Sequence, residues 1–133
     1  MWNFYLPVDL YFGEKRVADI AHIMESKGLD NALLICDATS VKLGVAEKIK
    51  AYAQGRVVEC FSGVSPNPTV DNIDDCLKMI SGKSIESIIA LGGGSSMDCA
   101  KGVSACLKLG INGTQLLDLD TVKEGLPLVA IPT

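Results

Sequence analysis

Residues 88–101 read IIALGGGSSMDCAK. The apolar run predicts a buried strand over 87–91, and the segment after the glycines predicts a helix over 95–109. Three adjacent glycines let backbone N–H groups approach an anion with no Cβ atoms in the way. The helix behind them directs about half a positive charge at the same place. This stretch therefore predicts a strand–turn–helix unit that binds an anionic group.

The glycine turn also has a purely structural interpretation. Ser95 or Ser96 can cap the helix, and Asp98 stands where a capping box has its acid. A tight turn with an ordinary cap rarely needs three adjacent glycines, however, which favours anion binding. The standard phosphate motifs are absent, because Met97 occupies the last glycine of G-x-G-x-x-G and no G-K-[ST] follows. We expect the anion to be a diphosphate held without a standard fingerprint.

Strand and helix patterns alternate on both sides of this unit, over a length of 133 residues that suits one domain. Buried strands with intervening helices of ten to fifteen residues indicate an α/β protein with a parallel sheet and helices on both faces. The predicted strands are 31–36, 56–61, 87–91 and 126–131. The predicted helices are 14–27, ending at Gly28, 41–53, 69–80 with Thr69 as cap, and 95–109, followed by a looser stretch over 110–125.

Two other strand ends carry candidate ligand contacts. Asp37 follows the strand at 31–36, and a carboxylate there can accept both ribose hydroxyls of an adenosine and repel a 2′-phosphate. Pro66 and Pro68 hold Asn67 rigidly at the end of the next strand. Each feature alone is equally explained by a turn. Because parallel sheets bind ligands at the carboxyl ends of their strands, the three strand ends together predict a nucleotide cleft.

Composition excludes several classes of function. The net charge is −4 and aromatic residues make up 5%, so neither a phosphate-backbone partner nor a base-stacking surface is expected. We expect a cytoplasmic protein without membrane contact, because the sequence shows neither a signal-peptide pattern nor an apolar run of membrane-spanning length. The five cysteines, without a C-x-x-C pair, are predicted to be core thiols. The single histidine, His22, is predicted to be an ordinary helix residue, and no metal ligand or catalytic residue is assigned.

Four segments in order, ICDATSVKLG, VSPNPT, IIALGGGSSMDCAKG and LVAIPT, resemble the amino-terminal domain of iron-containing alcohol dehydrogenases. The resemblance runs from about Val8 to Thr133. It implies a Rossmann-like fold that binds NAD, with Gly93, Gly94 and Ser95 on the diphosphate. It also implies that Asp37 lies by the adenosine ribose and favours NAD over NADP. The motif lysine is Lys101, for which packing or charge balance is as reasonable as cofactor contact. Other positions that match the family's cofactor site are Asn67, Asp98 and Thr133.

The resemblance also implies an activity that these residues do not complete. The family passes a hydride between an alcohol or aldehyde and NAD(H), with Fe²⁺ held by one aspartate and three histidines of a helical domain. That domain is expected to lie outside residues 1–133, so these residues are expected to be a catalytically incomplete dinucleotide-binding domain. The family implies a homodimer, and the aromatic start (Trp2, Phe4, Tyr5) could pair across one.

Two alternatives stay open at this point. The chain could be a stand-alone nucleotide-binding or regulatory module without catalysis, which a reading frame ending at Thr133 would favour. A continuation of roughly 250 residues with clustered histidines would favour the enzyme. The glycerol dehydrogenase and dehydroquinate synthase branch uses similar glycine loops. The PNPT loop and the serine after the glycines favour the alcohol dehydrogenase branch.

Overall fold

The computed structural model describes Met1 and residues 7–133, and within them the chain forms a four-stranded sheet. The strand order is β2-β1-β3-β4, and every neighbouring pair is parallel. The parallel sheet predicted from the alternation of strands and helices is therefore confirmed. The aromatic start at residues 2–6, which was predicted to pair across a dimer, lies outside the described residues. The strands are β1 (Ala32–Ile35), β2 (Val57–Phe61), β3 (Ser87–Gly92) and β4 (Leu128–Pro132).

Helices cover both faces of the sheet, as predicted. One apolar cluster joins the strands to α1 and α3, and the other joins them to α4 and α5. In the part of the chain that the structure describes, no helix is long and apolar enough to cross a membrane. The helices are α1 (Ile20–Ser26), preceded by a 3₁₀ turn (Arg16–Asp19), α2 (Ala38–Lys42), α3 (Val45–Tyr52), α4 (Val70–Met79), α5 (Gly94–Leu109) and α6 (Gly113–Leu117).

The two central strands carry the core. Every residue of β1 and β3 is buried. Because successive side chains point to opposite faces, Leu33 and Ile88 pack under α4 and α5, whereas Leu34 and Ile89 pack under α1 and α3. Covering both faces is what makes these strands continuous apolar runs in the sequence.

The predicted helix over 41–53 is in fact two helices. Asp37 starts α2 as its N-cap, and Gly44 adopts φ 73° between α2 and α3. A left-handed glycine ends one helix and reorients the chain for the next. The prediction of one continuous helix was therefore wrong.

The stretch 110–125, predicted to be loose, contains the short helix α6. Asn112 caps it, and the Asn112 and Gln115 side chains each bind the other residue's backbone N–H in a capping box. The first residue of α6, Gly113, also donates its N–H to Asp74 Oδ1 of α4 at 2.7 Å. A Cβ on Gly113 would lie 2.8 Å from Val70 Cγ1, so the start of α6 sits directly on α4.

We expect Asp74→Ala to lower the free energy of unfolding by about 1 to 2 kcal/mol, because the partly buried N–H of Gly113 would lose its acceptor. Asp75→Ala is the matched control: Asp75 is exposed on the same helix, and its loss should stay within about 0.5 kcal/mol. Urea unfolding of both variants measures the difference. Equal losses would show that the contact between α4 and α6 contributes nothing to stability.

Candidate nucleotide-binding site

The candidate site lies at the carboxyl ends of β1 and β3. From β1 the chain passes first to β2 on one side and later to β3 on the other, so the strand order reverses between β1 and β3. Ile35 and Ala90 are partners in the register of these strands. Asp37 and Gly92 follow them on the same edge. A crevice at such a reversal is where open α/β sheets bind ligands.

Gly92 is the residue that shapes the turn at the end of β3. Its φ is +135°, and a Cβ built on it would lie 2.7 Å from Ser96 Oγ. Side chains rarely adopt this backbone conformation, and this space is already filled, so the position requires glycine. Sequence reasoning assigned the cofactor to the next two glycines and missed this shaping role. The available signal was the position of Gly92 as the first of the three glycines, directly at the strand end.

Gly93 and Gly94 border open space. Both are exposed, and a Cβ on either would meet nothing within 4 Å. Gly93 is the N-cap of α5, and no side chain caps this helix. The predicted capping by Ser95 or Ser96 was therefore wrong. Because the first N–H groups of a helix lack partners within it, those of α5 remain available to an anion in the open space.

Ser95 links the glycine turn to the proline loop. Its hydroxyl donates to the carbonyl oxygen of Pro66 at 2.5 Å. While this bond is made, the hydroxyl proton is not free for a phosphate, although the Ser95 backbone N–H still belongs to the first turn of α5. The bond holds the loop containing Asn67, which is exposed, beside the start of α5.

A second contact braces the same loop. Asn72 Oδ1 accepts hydrogen bonds from the backbone N–H and the hydroxyl of Ser65, at 3.1 and 2.7 Å. Thr69 stands at the N-cap of α4, but its side chain makes no capping bond, contrary to the prediction. The loop is therefore fixed from within by Asn72 and against the glycine turn by Ser95.

One of the two carboxylate oxygens of Asp37 accepts a hydrogen bond from the protein backbone. Oδ1 accepts the backbone N–H of Ser40 at 2.7 Å, which makes Asp37 the N-cap of α2. Oδ2 lies 4.0 Å from the position a Cβ of Gly92 would take. The second oxygen therefore faces the glycine turn across the crevice, and the side chain is half-buried.

The remaining predicted positions are distributed around the same edge. Thr133 donates its backbone N–H to the carbonyl oxygen of Gly92 at 3.0 Å, which places it directly beside the end of β3. Asp98 is exposed on α5, one turn after Gly94. The crevice thus combines Asp37, the three glycines, the Pro66–Thr69 loop and Thr133.

The described residues do not provide a cluster of metal ligands. Within Met1 and residues 7–133, no three His, Cys, Asp or Glu side chains lie close enough to share a metal ion. His22 is an exposed residue of α1, as predicted. The described residues therefore do not fit an iron site, whereas the open space in front of the uncapped start of α5 suits an anionic group.

A parallel sheet covered by helices on both faces, with a glycine turn at the reversal of its strand order, defines a Rossmann-like α/β domain. The model of one family, described as iron-containing alcohol dehydrogenase, matches residues 7–133. The chain belongs to this family, which confirms the resemblance found in its motifs.

Similar proteins come from fungi and bacteria. Alcohol dehydrogenase 4 of Schizosaccharomyces pombe is 36% identical, over 98% of this chain and 32% of its own length. Lactaldehyde reductase of Escherichia coli K12 is 30% identical, over 92% of this chain and 34% of its own length. Among solved structures, sulfoacetaldehyde reductase from Bifidobacterium kashiwanohense in complex with NAD⁺ superposes with a TM-score of 0.86 at 29% identity, covering 99% of this chain and 36% of that one. The chain thus spans about a third of the length of these relatives.

Proposed function

We propose that this chain binds NAD in the crevice between β1 and β3, as the cofactor-binding part of an alcohol dehydrogenase. The observation that carries the proposal is the open space at Gly93 and Gly94, in front of the uncapped start of α5. The NAD⁺ complex of a relative with the same fold supports the choice of dinucleotide.

Each crevice element has a role in this proposal. The backbone N–H groups of Gly93, Gly94 and Ser95 hold the diphosphate, helped by the positive end of α5. The hydroxyl of Ser95 keeps the proline loop against that turn. Asp37 Oδ2 accepts the hydroxyls of the adenosine ribose, because Oδ1 is already bound to Ser40. Positions that line the rest of the cofactor are Asn67, Asp98 and Thr133.

When bound, NAD would supply hydride transfer between an alcohol and the corresponding aldehyde. The residues of this chain bind and orient it. We include Fe²⁺ because the family is described as iron-containing. The described residues contain no cluster of side chains that could bind the ion. We therefore expect these 133 residues alone to bind NAD without oxidising alcohols.

We also propose a class of substrate, an assembly and a location for this protein. The relatives named above are an alcohol dehydrogenase, a lactaldehyde reductase and a sulfoacetaldehyde reductase, so we propose a small alcohol or aldehyde as the substrate and no single compound. A homodimer is supported by the strongly exposed apolar side chains of Val8, Leu10 and Phe12. A cytoplasmic location is supported by the five free cysteines.

Calorimetric titration with NADH tests the binding step. We expect saturable binding at one site per chain, and binding of ADP-ribose as well, because the crevice contacts the diphosphate and ribose. The absence of saturable binding by a folded chain would overturn the proposal.

The catalytic part is tested on the complete open reading frame that contains these residues, assayed with NAD, Fe²⁺ and a series of alcohols. NAD binding without any alcohol oxidation there would favour the stand-alone module.

We expect Asp37→Ser to shift cofactor preference toward NADP by at least about tenfold, measured as the ratio of NADH to NADPH affinities. The change removes the negative charge that repels a 2′-phosphate, while serine can still cap α2. A control is Asp71→Ser, an exposed acid of α4, which should leave the ratio unchanged. If Asp37→Ser also leaves the ratio unchanged, Asp37 is only a helix cap.

A further inference from the structure

The loop between β2 and α4, residues 62–69, has a base and a tip that are held in different ways. At the base, Val64 is buried in the apolar cluster under α4 and α5. Gly63 lies against the ring of Phe61, since a Cβ built on Gly63 would be 2.8 Å from Phe61 Cζ. Residues 65–68 form the tip and are partly or fully exposed. The conformation of the tip therefore depends on its prolines and on polar contacts.

The two prolines remove only part of the freedom of the loop tip. Their rings fix φ at Pro66 and Pro68, and each proline restricts the residue before it, Ser65 or Asn67, to extended backbone conformations. Rotation within the extended range would still swing the exposed side chain of Asn67. The direction of this side chain therefore depends on the groups that hold the peptide bonds on either side of it.

Ser65 and Asn72 hold the peptide bond that follows Asn67. Ser65 Oγ lies 2.7 Å from Asn72 Oδ1 and 3.2 Å from the carbonyl oxygen of Asn67, so its single proton is shared between these two acceptors. Asn72 Oδ1 also accepts the backbone N–H of Ser65 at 3.1 Å. Asn72 Nδ2 donates to the carbonyl oxygen of Gly63 at 3.3 Å. One half-buried side chain, that of Asn72, thus connects the base of the loop to its tip.

The side chains that hold the tip come from two helices that pack closely on each other. Ser95, in the first turn of α5, donates its hydroxyl to the carbonyl oxygen of Pro66 at 2.5 Å. Asn72 lies in the first turn of α4. Next to it, Ile73 packs on α5, with its Cδ1 2.5 Å from the position that a Cβ of Gly102 would take. The helix pair therefore fixes both sides of the loop tip relative to the glycine turn.

We propose that Asn72 and Ser65 are positioning residues for the cofactor, which hold Asn67 in the orientation in which it contacts NAD. The inference rests on the proposed NAD binding, in which Asn67 lines the cofactor and neither Asn72 nor Ser65 is a contact. Replacing either residue should therefore lower the affinity for NADH through Asn67 alone. A purely structural role would instead lower stability and leave the affinity unchanged, or would lower the affinity equally whether or not the Asn67 side chain is present.

A double-mutant cycle between Asn67 and Asn72 tests this role. Calorimetric titration gives the NADH affinity, and urea unfolding gives the stability, of the parent chain, Asn67→Ala, Asn72→Ala and the double variant. We expect each single change to reduce the affinity about three- to tenfold, as for the loss of one hydrogen bond. In the Asn67→Ala background, Asn72→Ala should reduce the affinity less than about twofold. Its effect on the urea midpoint should be the same in both backgrounds.

Variants of Ser65 test the same contact from the loop side, and they decide the matter if Asn72→Ala does not fold. Ser65→Ala removes the shared hydroxyl and should reduce the NADH affinity several-fold. Ser65→Thr keeps the hydroxyl and suits the extended backbone before Pro66, so its affinity should stay within about twofold of the parent. Asp75→Ala, a change at an exposed acid of α4, is the matched control and should leave the affinity unchanged.

The possible outcomes separate this inference from the proposed function. A folded parent chain that does not bind NADH would overturn NAD binding, and the positioning role with it. If the parent chain binds NADH and both Asn72→Ala and Ser65→Ala leave the affinity unchanged, the positioning role is overturned while NAD binding stands. The same holds if Asn72→Ala reduces the affinity equally in the presence and absence of the Asn67 side chain.

Discussion

Gly93→Val is expected to weaken NADH binding by roughly tenfold to a hundredfold while leaving the fold intact. The fold should survive because Gly93 has the extended angles φ −90° and ψ −163°, which valine adopts easily, and its Cβ would meet nothing within 4 Å. The branched side chain would instead fill the space in front of α5. Keeping the diphosphate from even one backbone N–H costs a charge-assisted hydrogen bond worth about 1.5 to 3 kcal/mol.

Two measurements on the same variant separate binding from folding. Calorimetric titration gives the NADH affinity, and urea unfolding gives the stability, which should stay within about 1 kcal/mol of the parent chain. Gly93→Ala is the graded control, because a single methyl group fills less of the space and should reduce affinity less. A folded Gly93→Val variant with undiminished affinity would place the diphosphate elsewhere.

The sheet and its helical layers could be predicted because the central strands are buried on both faces. β1 and β3 therefore appear as uninterrupted apolar runs, and helices of ten or more residues appear as periodic patterns. α6 could not be found this way, since five residues are too short for a helical period to show. The break at Gly44 depends on a left-handed backbone angle. Glycine permits this angle, but the presence of a glycine does not by itself predict it.

The candidate site was predictable in its location and less so in its contacts. Asp37 and the glycine turn could be placed at one edge because parallel strands end on the same side of a sheet. The bond from Ser95 to Pro66 joins residues far apart in the sequence, and no local pattern encodes it. The serines were predicted to cap α5 from their residue type alone, but the backbone places Gly93 at that position. Cys60 was expected to be a core thiol, and its place on an outer strand leaves it half-exposed.

The three glycines, identical in the sequence, have two different physical roles. Gly93 and Gly94 leave space for a ligand, so their replacement should affect binding before stability. Gly92 adopts a backbone conformation that other residues rarely adopt, so its replacement should lower stability before it affects binding. Changing one residue at a time therefore tests whether Gly92 shapes the turn while Gly93 and Gly94 leave space for a ligand.

Gly92→Ala is expected to lower the free energy of unfolding by about 2 to 4 kcal/mol. Part of this loss comes from holding alanine at φ +135°, a strain of about 1 to 3 kcal/mol. The rest comes from the new Cβ, 2.7 Å from Ser96 Oγ, because Ser96 is itself buried and cannot move away freely. Urea unfolding measures the loss, and Gly92→Ala with Ser96→Ala should recover the part due to the clash and leave the part due to the backbone. A Gly92→Ala chain as stable as the parent would show that the turn adapts to a side chain, and Gly92 would then have no shaping role distinct from Gly93 and Gly94.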